Sequence, residues 1–447
     1  MKTELLSPAG TLKHMRYAFA YGADAVYAGQ PRYSLRVRNN EFDLENLAIG
    51  IQEAHRLGKQ FYIASNIAPH NKKVHSYLKD IEPVIAMKPD ALIMSDPGLI
   101  MLVKEKWPEI PIHLSVQANV VNYAAAQFWY KQGVERIILS RELSLDEIEE
   151  IRMRVPELEL EVFVHGALCI AYSGRCLLSG YINKRDPNQG TCTNACRWKY
   201  SATPAKETNT GDVIAKSDTQ IWTPQPTLGD GATTNDIFLL EEEGRPGETM
   251  AAFEDEHGTY IMNSKDLRAI QHVKRLVDMG IHSLKIEGRT KSHYYAARTA
   301  QTYRQAIDDA IDGRDFDIAL MDQLEALSNR GYTEGFYRRH VHDEYQNYER
   351  GTSDANKQLF VGEVIQNIHP EYLTIDVKNR FEEGDRVELM TPQGNYAFTL
   401  SGMLNTKQEP KHVAQGSGVK VLIPKPKDFS GSANAMEYAL LMKELHT

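Results

Sequence analysis

Short apolar runs ending in a polar residue or a glycine recur through the first 165 residues, and each is followed by a stretch of helical periodicity. The runs are Glu4–Ser7, Asp24–Ala28, Phe61–Ser65, Ala91–Ser95, Ile112–Val116, Arg136–Ser140 and Leu158–Val164. Short β-rich runs alternating with helix-period segments predict β/α units and a parallel sheet. The clearest helix spans Leu143 to Met153, with Ser144 as N-cap and Glu147 three residues on to complete a capping box. An eighth run, His282–Glu287, comes only after a long interruption. A helix-like stretch from Ser264 to Met279 precedes it, and a long helix is predicted over Lys291–Ile311. Eight such strands predict a (β/α)8 TIM-like barrel. A doubly wound open sheet is the alternative, and it calls for a glycine-rich phosphate turn after an early strand. Ser7-Pro8-Ala9-Gly10 is a turn, but it lacks that fingerprint.

The interruption, about residues 166–260, follows strand seven. Thr203 to Asp236 is rich in Thr, Pro, Gly, Asp and Gln and reads as an extended surface insertion. In a barrel it belongs to the face where catalytic loops lie. Past residue 350 the pattern changes to short alternating strands: Leu359–Val364, Leu373–Val377, Arg386–Met390, Tyr396–Leu400 and Gly418–Leu422. Gly384-Asp385, Gly394-Asn395 and Gly416-Ser417-Gly418 mark turns between them. This predicts a small C-terminal antiparallel β-barrel. The expected organisation is a catalytic barrel over 1–345 and a small β domain over 355–447.

Composition narrows the function. Of the 447 residues 42% are hydrophobic and 25% charged, which excludes a disordered or fibrous chain. Acids outnumber bases 60 to 51, for a net charge of −9. That excludes a generic nucleic-acid coat protein but leaves room for an RNA enzyme with a local basic patch. No apolar run approaches the ~18 residues of a membrane helix. Glu4 falls where the apolar core of a signal peptide would begin, so a cytoplasmic protein is expected.

All four cysteines, Cys169, Cys176, Cys192 and Cys196, fall within 28 residues with the spacing C-x6-C-x15-C-x3-C. Four thiolates are the ligand set of a cubane iron–sulfur cluster or a structural zinc. Random scatter rarely clusters thiols this way, so metal binding outweighs four unrelated buried cysteines. Zinc ribbons favour two closely spaced pairs, and only Cys192 and Cys196 approach that spacing. The irregular spacing tilts towards a cluster without deciding it.

His165 lies four residues before Cys169, yet the intervening glycine and strand context do not favour a Cys/His catalytic pair. HExxH, GxSxG and P-loop motifs are absent. Polar residues at the predicted strand ends form the next group: Asn66, Asp96, Gln117, Glu142, His165, Glu287 and Arg289. Residues at that rim bind substrate or do chemistry, although any one alone is as readily a loop brace. Glu142, His165 and Glu287 are the candidate acid/base residues. Asn66, Gln117, Arg36, Arg38 and Arg289 are the candidate substrate-binding ones. His113, inside strand five, reads as a packed core histidine. Tyr27, Tyr33, Tyr172, Tyr181 and Trp198 interleave with these arginines and with Lys184, Arg185, Arg197, Lys199 and Lys291. Arginine beside aromatic rings suits phosphates and unstacked bases, or a small dicarboxylate.

The stretch from Glu161 through Phe163, His165 and Gly166 to Cys169, then Gly174-Arg175-Cys176 and Ser179, resembles the signature of the collagenase-like peptidases of unassigned catalytic type. ELLSPAG, DAVYAG, SLRVRNNEF, NIAPHN, SDPGLI and HLSVQAN resemble the same family, and the likeness spans nearly the whole chain. FVHGALCIAYSGRCLLSGYINKRDPNQGTCTNACRW and NSKDL…HSLKIEGRTKS are similar to family members that act on tRNA. The resemblance implies formation of 5-hydroxyuridine at the wobble position of tRNA, with prephenate as hydroxyl source and without molecular oxygen. It also implies a [4Fe–4S] cluster on Cys169, Cys176, Cys192 and Cys196, and iron–sulfur delivery proteins as partners. The family title leaves a peptidase as the competing expectation.

Overall fold

A computed structural model describes residues 2–35, 41–168, 200–207, 213–215, 237–242, 249–253, 266–327, 329, 331–338, 357–366, 369, 371–426 and 436–445. Seven strands alternate with helices in its first part: β1 (Glu4–Pro8), β2 (Ala25–Gly29), β3 (Gln60–Ser65), β4 (Ala91–Met94), β5 (Ile112–Leu114), β6 (Arg136–Ile138) and β7 (Glu159–Ala167). The helices between them are α1 (Leu12–Ala20), α2 (Leu44–Arg56), α3 (Asn71–Ala86), α4 (Pro97–Lys106), α5 (Tyr123–Lys131) and α6 (Leu145–Arg154). Short polar side chains start most of them. Thr11, Asp43, Asp96, Asn122 and Ser144 each accept a hydrogen bond from an amide in the first turn that lacks an intrahelical acceptor. Ser144 and Glu147 form the expected capping box.

Four short strands follow in the insertion: β8 (Tyr200–Glu207), β9 (Val213–Ala215), β10 (Ile237–Glu242) and β11 (Thr249–Phe253). They form an antiparallel sheet in the order β11-β10-β8-β9. The extended surface insertion read over Thr203–Asp236 thus carries strands that the sequence reading did not name. Its strands pair across sequence gaps, so a local window of polar composition hides them.

The helix-like stretch from Ser264 to Met279 is corrected. It opens with strand β12 (Asp266–Arg268), passes through one 3-10 turn, Ile270–His272, and only then forms helix α7 (Val273–Asp278). β12 lies antiparallel on the overhanging end of β7, with Asp266 opposite Ala167. Strand β13 (Ser283–Ile286) then pairs in parallel with both β7 and β1. That double pairing closes an eight-stranded parallel barrel and excludes the open doubly wound sheet. Helices α8 (His293–Ile311, capped by Ser292) and α9 (Ala319–Glu325) and the short strand β14 (Tyr332–Thr333) complete this part.

The C-terminal part is antiparallel. Its strands are β15 (Gln358–Gln366), β16 (Tyr372–Val377), β17 (Phe381–Glu382), β18 (Arg386–Thr391), β19 (Gly394–Thr399), β20 (Leu404–Asn405), β21 (Val413–Ala414), β22 (Lys420–Pro424) and β23 (Leu440–Glu444). Seven of them form one sheet in the order β19-β18-β23-β15-β16-β22-β20. Leu373, Ile375 and Val377 alternate inward from β16 onto a core shared with Phe381, Val387, Leu389 and Ile423. β23 was not expected from the sequence. Its run Leu440-Leu441-Met442 lacks alternation because it is buried on both faces: Leu441 enters the C-terminal core, while Leu440 and Met442 join the barrel's outer core.

Helix α8 joins the two parts. Arg298 on its face is 1% exposed and bonds to Glu388 at 2.5 Å. Tyr21 at the end of α1 donates its hydroxyl to the carbonyls of Met390 and Tyr438, each at 3.0 Å. Glu363 on β15 accepts from Lys13 at 2.6 Å and faces His293 at 3.1 Å. Burial pushes the Glu363 carboxyl up, but these two partners outweigh it and hold it at about 2.

Burial holds His14 and His165 neutral. His14 is lowered to about 4 by desolvation and then by the neighbouring His293 and Lys13. His165 is lowered to about 3 by desolvation and then by Arg268 and Lys291. In the unfolded chain both take up protons below about pH 6.5, while the fold refuses them until about pH 4 and pH 3. Stability therefore falls as the pH drops from 6.5 towards 4, while Glu363 stays ionised throughout that window. Urea titrations between pH 6.5 and 5.0 should register this loss. In His14→Gln the slope should shrink by about half a proton at pH 6.5 and by nearly one at pH 5, at most about 1.4 kcal/mol per pH unit. An unchanged slope would contradict the assignment.

Candidate active site at the barrel mouth

A TIM barrel normally fills its interior with branched apolar side chains. Here β1, β6, β7 and β13, four neighbours across the closure seam, send charges inward. Arg136 binds Glu4 at 2.7 Å, Glu159 at 2.7 Å and Glu161 at 3.4 Å. Lys285 donates to Glu161 at 2.8 Å, and Ser283 donates to Glu4 at 2.8 Å. The side chains of Glu161 and Lys285 are 0% and 4% exposed. Burial alone would weaken the Arg136 cation, but the surrounding carboxylates outweigh it and raise its pKa. For Lys285, burial prevails over Glu161 and lowers its pKa. His113 packs edge-on against Tyr62 at 4.7 Å between ring centroids, and desolvation, then Arg136 and Lys285, keep it neutral.

Above this layer the ends of the strands build the mouth. Lys285 lies 4.3 Å from the centre of the Tyr27 ring and 5.4 Å from that of Phe163. Tyr27 donates its hydroxyl to Glu287 at 3.1 Å. Arg141, three residues past the end of β6, stacks its guanidinium 3.7 Å from the Phe163 ring centre and lies 3.9 Å from Glu287. Arg289 donates to the carbonyl of Leu35 at 2.6 Å. The Leu35 amide donates to Asn66 at 3.2 Å. Asn66 in turn bonds to Ser115 at 3.1 Å and to Gln117 at 3.3 Å. One backbone residue thus ties the β3 and β5 side of the rim to the β13 side. Two glycines make room for this. A Cβ on Gly29 would lie 2.5 Å from an Arg289 nitrogen, and one on Gly166, at φ +106°, would lie 2.4 Å from the Glu287 carbonyl.

Of the residues singled out from sequence, Asn66, Gln117, Glu287 and Arg289 meet in this rim. Glu142 lies beside it and accepts a hydrogen bond from Ser140. Asp96 caps α4 by accepting from the Leu99 amide at 2.9 Å. His165 does not face the mouth. The register between β13 and β7 shifts between Lys285 and Ile286, which turns His165 out of the lumen. It packs among Tyr295, Tyr303 and Tyr332, 1% exposed, with Tyr303 at 3.3 Å. Desolvation first, then Arg268 and Lys291, keep this imidazole neutral down to about pH 3, and three tyrosines wall it in. Arg36, Arg38, Cys169, Cys176, Cys192 and Cys196 lie outside the described residues. Sequence reasoning passed over Arg141, Glu161 and Lys285. A charge in the middle of an otherwise apolar barrel strand is the signal that marks Glu161 and Lys285.

A family model described as Peptidase family U32 matches residues 10–347, and one described as Peptidase family U32 C-terminal domain matches residues 356–441. The chain is 64% identical over 443 residues to the tRNA hydroxylation protein P of Escherichia coli K12, covering 99% of this chain and 97% of that protein. It is 62% identical over 449 residues to the tRNA hydroxylation protein P of Haemophilus influenzae, covering 99% and 96%. It is 29% identical over 422 residues to the 23S rRNA 5-hydroxycytidine C2501 synthase of Escherichia coli, covering 94% of this chain and 53% of that one.

The lumen pair has a direct test. Glu161→Gln leaves Lys285 buried with its charge uncompensated and should cost about 3–5 kcal/mol in urea unfolding. The double variant Glu161→Gln with Lys285→Met should recover most of that loss. Additive single effects would show that the two residues do not act as a pair.

Proposed function

The chain belongs to peptidase family U32, and from that membership we propose that it is a tRNA-hydroxylating enzyme that forms 5-hydroxyuridine at the wobble position, with prephenate as hydroxyl source and without molecular oxygen. The carrying observation is identity above 60% along 99% of the chain to two proteins named for tRNA hydroxylation. The more distant relative named as a 5-hydroxycytidine synthase supports carbon 5 of a pyrimidine as the position modified. A wobble base is already single-stranded, so presenting it at a barrel mouth costs at most a few kcal/mol of unstacking.

Four thiolates spaced C-x6-C-x15-C-x3-C fit the donor set of a [4Fe–4S] cluster, so Cys169, Cys176, Cys192 and Cys196 are the residues that would hold it. When bound, such a cluster supplies a one-electron redox centre. The chain's own contribution at the mouth is a set of buried cations and rings that bind and orient a small acid and exclude water. Among the described residues no helix is long and apolar enough to cross a membrane, in keeping with a cytoplasmic enzyme that meets tRNA there.

The peptidase reading rests on the family's title. Among the described residues, no serine or threonine hydroxyl bonds to a histidine ring. No cluster of three or more His, Cys, Asp or Glu residues is placed there to hold a metal.

Nucleoside mass spectrometry of tRNA from a deletion strain grown without oxygen is the test. The 5-hydroxyuridine-derived nucleosides should vanish, return with the wild-type gene, and stay absent with any of the four cysteines changed to alanine. Anaerobically purified protein should carry about four iron and four sulfide per chain. Unchanged tRNA in the deletion strain, or gelatin cleavage by the pure protein, would overturn the reading.

A further inference from the structure

One edge of the mouth carries more positive charge than the fold employs. From residue 25 to 40 and from 54 to 79 the sequence holds no Asp or Glu, although acids outnumber bases over the whole chain. The loop after β2 and the first half of α3 belong to these two stretches, and they lie against each other. Lys73 donates to the Arg32 carbonyl at 3.4 Å, and Tyr33 donates its hydroxyl to Asp80 at 2.6 Å. The same loop ends at Leu35, which is tied to Asn66 and Arg289 in the rim. This edge therefore borders the mouth directly.

Four cations stand on it. Lys72, His75 and Lys79, at i, i+3 and i+7, form one exposed stripe of α3. Lys73 is half-buried beside them, and the Arg32 side chain is 64% exposed. Asp80 is the facing carboxylate, and Arg32 binds it at 2.8 Å. Glu82, further along the helix, is paired with Lys106 at 3.1 Å. Arg32, Lys72, Lys73 and Lys79 against Asp80 leave three positive charges in excess.

Stability does not explain them. Lys72 and Lys73 occupy the first turn of α3, where the helix dipole favours acids and opposes cations. Helices α2 and α6 obey that preference with Glu45 and with Asp146 and Glu147. Arg32 is held at φ 70°, a left-handed conformation that side chains other than glycine and asparagine rarely adopt. Charge kept at the mouth against local preference points to an anionic partner. With a net charge of −9, a polyanion settles on this chain only where the sign is locally reversed. The adjoining helices open on Glu41, Asp43 and Glu45 at α2 and on Asp96 at α4, which confines such a partner to the α3 edge. The stripe from Lys72 to Lys79 runs about 10 Å along the helix, longer than one phosphate group and suited to a strand that carries several.

We propose that Lys72, Lys73 and Lys79, beside Arg32, form the surface that seats the sugar–phosphate backbone of the RNA while the base enters the mouth. This rests on the hydroxylase reading for the RNA being tRNA.

Full-length protein, purified anaerobically with its metal content intact, is titrated with tRNA between about 50 and 200 mM salt. The variants are Lys72→Gln, Lys73→Gln and Lys79→Gln combined, the same three positions changed to arginine, and a control that combines Lys131→Gln with Lys420→Gln. The control lysines are exposed at the far end of α5 and on β22. The glutamine triple should bind tRNA at least about tenfold more weakly at the lower salt, and its slope of log Kd against log salt should be shallower by about 2, since each phosphate contact contributes about 0.7. The arginine triple and the control should bind like wild type. The urea midpoint of the glutamine triple should hold or rise, because cations in a first turn oppose the dipole.

Wild-type affinity and slope in the glutamine triple would overturn the surface and leave the hydroxylase reading intact, which the nucleosides of the deletion strain decide separately. A weakening that arginine does not restore, or one accompanied by a lower urea midpoint, would overturn it too. Polyglutamate, titrated in parallel, stands for an acidic protein: lysine-dependent binding of polyglutamate with tRNA unaffected would overturn RNA as the partner. Equal weakening towards tRNA and an unrelated single-stranded RNA would uphold the surface, since backbone contacts carry no sequence.

Discussion

The barrel closes on ions. Where most such barrels seal their interior with branched hydrocarbon, this one runs Glu4, Ser283, Lys285, Glu161 and Arg136 across the four strands that meet at the seam. Charges taken out of water are tolerable only when each meets its partner in good geometry. A parallel register can slip by one residue only by turning every side chain to the opposite face. Such a slip in β7 would drive Glu161 out among the helices and leave Lys285 alone in the lumen. The ladder thus specifies the register of β13 against both neighbours, at a cost in stability that an apolar filling would not carry.

The positions of the chemistry-bearing residues follow from that register. Lys285 and Phe163 are paired partners, and the irregularity immediately after them is where the lumen ends and the mouth begins. It turns His165 outward against α8 and lets the chain cross at Gly166, close under the Glu287 carbonyl. Tyr295, two residues into α8, donates to that same carbonyl at 2.7 Å. The helix that steadies Glu287 continues to Arg298, which is buried against Glu388 of the C-terminal sheet. Docking of the C-terminal part and placement of the mouth therefore share one rigid element. A domain that contributes no described side chain to the rim still bears on its geometry.

Much of this was legible beforehand. The eight barrel strands stand out because each is a short apolar run punctuated by a turn, and the capping box at Ser144 and Glu147 is a local signal read locally. Asn66, Gln117, Glu287 and Arg289 could be named because position at a strand end is itself informative. What failed was whatever depends on contacts distant in sequence. β12 exists because β7 overhangs the barrel and offers it an edge. β23 is buried between two cores and so loses the alternation that marks a strand. His165 occupies a strand-end position like its neighbours, and only a register shift, invisible in the sequence, turns it away from the lumen and against α8. Arg141 was overlooked beside Glu142 because two adjacent charges on a loop look interchangeable until one of them is found stacked on a ring.

The distribution of charge bears on how an acidic protein can work on RNA. With a net charge of −9, the surface as a whole does not draw in a polyanion. The cations that matter most here are the ones least visible to solvent: Lys285 at 4% exposure, Arg141 at 10% and Arg298 at 1%. Buried cations add little long-range attraction, because nearby carboxylates cancel most of their field at a distance. At contact they act strongly, because the surroundings screen them weakly.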